Sequence, residues 1–133
     1  MTRVRRRLAG ERGDALIEGL FAFALILLVV GVAAQALAYA HTRSVASAAA
    51  QDGARAAAAG GSQAGIARAS AILAAAGGAG ASLRATARED GGEVTVSVEG
   101  DAPRLFSLPL LLPTVQASAS LPLERYPTAE AAP

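Results

Sequence analysis

With 133 residues, the chain has room for one small domain and an anchor, and not for a multidomain enzyme. Hydrophobic residues make up 53% but aromatic residues only 4%, and half of the apolar count is alanine, so any folded part must close a thin core from small side chains. The net charge of +1 decides nothing, and the lack of cysteine excludes a disulfide framework and a thiolate metal site.

Charge is concentrated at the start. Arg3, Arg5, Arg6, Arg7 and Arg12 stand in residues 1–13, opposed there only by Glu11. From Leu20 to Ala40 only Gln35 and Tyr39 carry polar side-chain groups, and these 21 residues reach about 30 Å as a helix, the thickness of a bilayer's hydrocarbon. The core of that stretch, Leu20–Ala34, carries no charge. The sequence therefore predicts one transmembrane span at about 20–40. The arginines flank its N-terminal end, and the positive-inside bias puts residues 1–13 in the cytoplasm and the rest outside. Beside a span, the cluster reads as a topogenic leader and not as a nucleic-acid-binding arm.

Glu18 stands at the start of the apolar segment. Two readings are open. Its carboxylate can sit in the first turn of the helix, where unbonded N–H groups and the dipole favour an anion, or it can pair with a positive charge on another chain.

Residues 41–59 continue the helix. Alanine is the strongest helix former, and Arg43, Ser47, Gln51 and Arg55 recur every fourth residue, so that Gln51 and Arg55 can meet. Gly53 is a mild interruption and Gly60-Gly61 an end. A second helix fits 63–76, with Ile66, Ala69, Ile72 and Leu73 on one side, and is stopped by Gly77-Gly78-Ala79-Gly80. The period then falls to two. Ala81–Arg88 and Glu93–Glu99, separated by Asp90-Gly91-Gly92, read as a hairpin. A third strand fits Val115–Leu123, with Pro122 marking an edge strand or a strand end. The apolar connector Pro103–Pro113 is too short to span a membrane and reads as a plug for the core or as a contact surface. The fold class is α+β: one long N-terminal transmembrane helix extending outside the membrane, a short second helix, and a small antiparallel sheet of about three strands. The corresponding domains are a basic leader at 1–13, a helix at 14–59, a small extracytoplasmic domain at 60–125 and a disordered tail at 126–133.

No catalytic constellation is present. His41 is the only histidine, no glycine-rich phosphate loop carries a lysine, and the carboxylates around the hairpin match no recognised calcium loop. The expectation is a protein that is not an enzyme and takes no cofactor or metal.

The run Glu11-Arg12-Gly13-Asp14-Ala15-Leu16-Ile17-Glu18, between a basic leader and an apolar helix, resembles a type IV pilin-like signal. Together with Ala48-Ala49-Ala50-Gln51-Asp52-Gly53-Ala54-Arg55-Ala56-Ala57 downstream, the chain resembles the TadE-like minor pseudopilins of tight-adherence (Flp-type) pilus systems over roughly residues 10–125. It departs from them at Gly19, where a bulky residue usually follows the glutamate. The resemblance implies cleavage by a prepilin peptidase between Gly13 and Asp14, and pairing of Glu18 with the α-amino group of Asp14 on the same or a neighbouring subunit. Small residues along the span, Gly31, Ala34 and Ala38 among them, would allow close helix–helix approach. The implied partners are the cytoplasmic membrane, the peptidase, other pilin-like subunits and the pilus assembly platform, with no nucleic acid. Two other outcomes stay open: a small secreted binding module released after Ala40 by an ordinary signal peptidase, and an uncleaved single-pass envelope accessory protein.

Overall fold

The computed structural model describes residues 2–106 and 113–123, with side chains from residue 13 onward. Helix α1 covers Thr2–Gly60, α2 covers Ser62–Ala75, and a single 3₁₀ turn covers Gly77–Ala79. Strands β1 (Leu83–Asp90), β2 (Glu93–Gly100) and β3 (Val115–Pro122) follow. The chain divides into two compact units, Met1–Ala36 and Leu37–Pro133, with α1 contributing to both. The α+β class and the order of elements are those expected from the sequence. The helix begins at Thr2, however, so the basic leader is part of it. Most of the apolar connector and the tail from 124 onward lie outside the described residues. Of the connector, Leu105 and Phe106 are exposed.

In the second unit the sheet is a meander of order β1-β2-β3, antiparallel throughout. Period-two alternation puts Val94, Val96 and Val98 of the central strand at 0% exposure, while Thr95 and Ser97 face outward. Each buried valine contributes about 1.5–3 kcal/mol. The helical side of this core is built almost wholly of alanine: Ala46, Ala49, Ala50, Ala54 and Ala57 on α1, and Ala69 on α2, with Leu73. Their spacing of three and four is the buried stripe of a helix. Thr42 is also buried there, and its hydroxyl donates to the Ala38 carbonyl at 2.9 Å.

Small side chains let the helices approach closely. A Cβ on Gly53 would lie 3.1 Å from Ala69 Cβ, from Gly65 O and from Val96 Cγ1, and one on Gly65 would lie 2.6 Å from Ala57 Cβ. Gly53 is thus a contact point between α1, α2 and β2, where the sequence reading took it as an interruption. The buried positions of α2 are Gly65, Ala69 and Leu73; Ile66 and Ile72 are half-buried. On the solvent side, Arg55 does not meet Gln51. It pairs with Asp52, one turn back, and Asp52 also receives Arg68 of α2 at 3.5 Å. Gln51 donates instead to Ser47 Oγ at 3.2 Å. These pairs are exposed and are worth about 0–1 kcal/mol each.

Glycine conformations make the corners. Gly61 links the two helices alone, at φ 82°, and Gly91 and Gly92 take φ values of 58° and 88°, as a two-residue type I′ hairpin requires.

The start of α2 is capped from a distance. Glu89, near the end of β1, accepts a hydrogen bond from the Ser62 backbone N–H at 2.8 Å and a second from the Ser62 hydroxyl. These bonds hold its carboxyl below the ordinary value of 4.5. A depressed carboxyl pKa adds stability that is complete above the unfolded value and is lost as pH falls through the folded one. Glu89→Gln is therefore expected to lower the urea midpoint of the full chain in detergent at pH 7, with the difference from native shrinking toward zero at pH 3. A difference that is the same at both pH values would show that ionisation of Glu89 is not the cause.

Candidate functional site

The feature that stands out is chemical and lies on α1. The segment Gly13–Gly60 contains an 18-residue window of mean hydropathy 2.6, of which only 6% is buried, so α1 is long and apolar enough to cross a membrane. Leu25, Ile26, Leu27, Leu28, Val29 and Val30 are each about half exposed or more. Six consecutive residues at 3.6 per turn go more than once around a helix, so no side of this stretch is packed away. A helix that is hydrophobic all round and unburied belongs in lipid or against other chains. Leu16, Ile17, Leu20, Phe21 and Phe23 extend the same character toward the N-terminus.

Glu18 lies inside this surface, exposed, with Leu16 and Ile17 before it and Leu20 and Phe21 after it. Because α1 starts at Thr2, Glu18 is in the helix interior, where backbone N–H groups bond to carbonyls one turn back. The first-turn explanation for its charge therefore does not hold in the full-length chain. No salt bridge joins it to another described side chain. Asp14, four residues earlier and on the same side, is exposed too, and like charges at this spacing disfavour a helix by about 0.2–0.5 kcal/mol.

Gly13 and Gly19 bracket the two carboxylates. A Cβ on either would meet nothing within 4 Å, so packing inside this chain does not require glycine at these positions. Each costs the helix roughly 1 kcal/mol relative to alanine. Further along, Gly31 and Gln35 are buried, and Ala34 and Ala38 are half-buried.

The rest of the described surface offers little chemistry. Among the described residues no three of the His, Cys, Asp and Glu side chains come together in a way that could hold a metal ion. Glu89, one of the carboxylates around the hairpin, is engaged as the cap of α2. The concave surface where α2 meets β1 is lined by Ser70, Leu73, Gly77, Gly80, Leu83 and Arg84, with no histidine or carboxylate in its described lining. The capping role of Glu89 was not foreseen from the sequence. Its partner is 27 residues away, and no local motif couples them.

Compared with known proteins, the chain matches no family model, no curated protein and no solved structure.

Proposed function

We propose that this chain is a minor pilin-like subunit, similar to the TadE-like pseudopilins, acting from the cytoplasmic membrane in assembly of a Flp-type pilus or a related secretion machine. Its N-terminus stands in the cytoplasm, α1 crosses the membrane once, and the unit containing the sheet works outside. The observation that carries this reading is the uncompensated Glu18 carboxylate at the N-terminal edge of the exposed apolar stretch of α1, just behind an arginine-rich leader that ends in Gly13. An exposed carboxylate at the hydrocarbon edge is costly unless a partner cation meets it. Cleavage between Gly13 and Asp14 supplies one. It frees the α-amino group of Asp14, one turn from Glu18, and removes the helical turns that precede both residues. The pair then fixes register between subunits, whose spans pack through the small residues Gly31, Ala34 and Ala38.

The test is the intact mass and N-terminal sequence of the protein extracted from native membranes. The expected chain begins at Asp14. One beginning at His41 would assign the protein to the secreted modules. One that keeps its leader would reduce it to an uncleaved envelope anchor.

A further inference from the structure

The two edges of the sheet are not alike. The two-residue turn makes Asp90 and Glu93 a hydrogen-bonded pair, and alternation then gives Arg84, Thr86, Arg88 and Asp90 the bonds to β2. Carried across β2, the same alternation gives Val115, Ala117, Ala119 and Leu121 the bonds on β3. The Leu123 N–H, donating to Gly92 O at 2.8 Å, continues it. Gln116, Ser118, Ser120 and Pro122 therefore turn their backbone groups outward, to an edge that no described strand pairs. Pro122, which has no N–H, stands at one of these outward positions, where the sheet loses no bond.

Sheet edges are commonly kept apart by charge. β1 has Arg84, Arg88, Glu89 and Asp90, while β3, over all 8 of its residues, has no charge. Its sequence is also nearly symmetric about Ser118: Ala117 and Ala119 flank it, with Gln116 and Ser120 beyond.

We propose that β3 is a self-association edge, pairing antiparallel with β3 of a second copy about a two-fold axis at Ser118, so that two three-stranded sheets join into one. A second copy is the occupant because the strand complements itself. Under this axis Ser118 opposes Ser118, Ala117 opposes Ala119, and the Gln116 amide opposes the Ser120 hydroxyl. No like charges meet, and the outward N–H groups of Gln116, Ser118 and Ser120 each face a carbonyl. This interface does not depend on the pilus reading and would operate in any membrane-anchored or released form of the domain.

The chain has no cysteine, so single cysteines report contacts without background. The experiment uses the full chain in detergent micelles with Ser118→Cys, Ser97→Cys or Thr86→Cys, oxidised and resolved on a non-reducing gel. Ser97 is the register partner of both Thr86 and Ser118, on the central strand. Opposed residues of a hydrogen-bonded pair lie about 5.5 Å apart, within disulfide reach. The Ser118→Cys chain is expected to form dimers at least tenfold faster than the Ser97→Cys or Thr86→Cys chain. Ser118→Pro and Ser120→Lys should each weaken dimerisation of the native chain in sedimentation at least tenfold while keeping its circular dichroism. If the proline variant unfolds, Ser120→Lys decides. Four results would each overturn the proposal: a monomeric native chain, Ser118→Cys linking no faster than Ser97→Cys, fastest linking in Thr86→Cys, or a folded Ser120→Lys chain that dimerises as before.

Discussion

Gly65→Ala should destabilise the folded unit at Leu37–Pro133 even though alanine is the better helix former. In an open helical position the change would add about 1 kcal/mol. Here the new Cβ would stand 2.6 Å from Ala57 Cβ and 2.9 Å from the Gly53 carbonyl oxygen, distances at which something must move. Neither neighbour is the end of a flexible side chain. Ala57 has no rotamer to change, and Gly53 O is backbone, so α2 must back away from α1. Doing so loosens Ala69 and Leu73 from the valines of β2. Overpacking of this kind costs about 1–3 kcal/mol, occasionally more, which outweighs the propensity gain. Gly65→Leu should exceed that range, a large fraction of a small domain's total stability. Urea unfolding of the full chain in detergent measures it, with Gly19→Ala as the control because its added methyl meets nothing within 4 Å. If Gly65→Ala raises the midpoint as much as propensity predicts, the helix crossing is looser than its geometry indicates.

The reason this crossing was not legible in the sequence applies more widely. A glycine in an alanine-rich helix has the same local appearance whether it weakens the helix, ends it or admits a neighbour. Gly60-Gly61 and Gly91-Gly92 were readable because each falls where the hydrophobic period breaks, and a break needs a turn. Gly53 falls in mid-period, and its reason is Gly65 of a different helix. The strands were readable because Val94, Val96 and Val98 alternate with Thr95 and Ser97, a pattern that has only one geometry. Contacts between elements, such as Glu89 with Ser62 or Asp52 with Arg68, depend on how α2 lies on its neighbours, and no period encodes that. The helical state of the leader was missed for a different reason. Its arginines were read for their charge, although arginine, alanine and leucine are also good helix formers. As for the site, the sequence located Glu18 and the apolar span. It left the setting of Glu18 open, since that depends on where the helix begins.

That setting makes Glu18 the residue whose loss should matter most. In the full chain the carboxylate has helix on both sides of it and leucine, isoleucine and phenylalanine around it. Replacing it by alanine makes α1 a better membrane segment, so insertion should be unaffected or improved. The proposed cleavage after Gly13 should continue as well, because the scissile bond, the leader and the span are unchanged. What should fail is association. In the proposed assembly the carboxylate meets an α-amino group in a low-dielectric setting, and removing one partner of a buried pair leaves the other charge uncompensated at about 3–5 kcal/mol. That is a hundredfold loss or more in an association constant. Glu18→Gln should lose nearly as much, since the amide has no charge to offer the ammonium group, whereas Glu18→Asp should keep part of it. The measurement is the fraction of processed chain, identified by its mass from Asp14 onward, that co-purifies with a tagged second copy from detergent-solubilised membranes. Equal recovery for the native chain, Glu18→Ala and Glu18→Gln would assign the carboxylate to recognition by the peptidase or to nothing at all. A loss of processing in the same variants, with the leader retained, would choose the first of those.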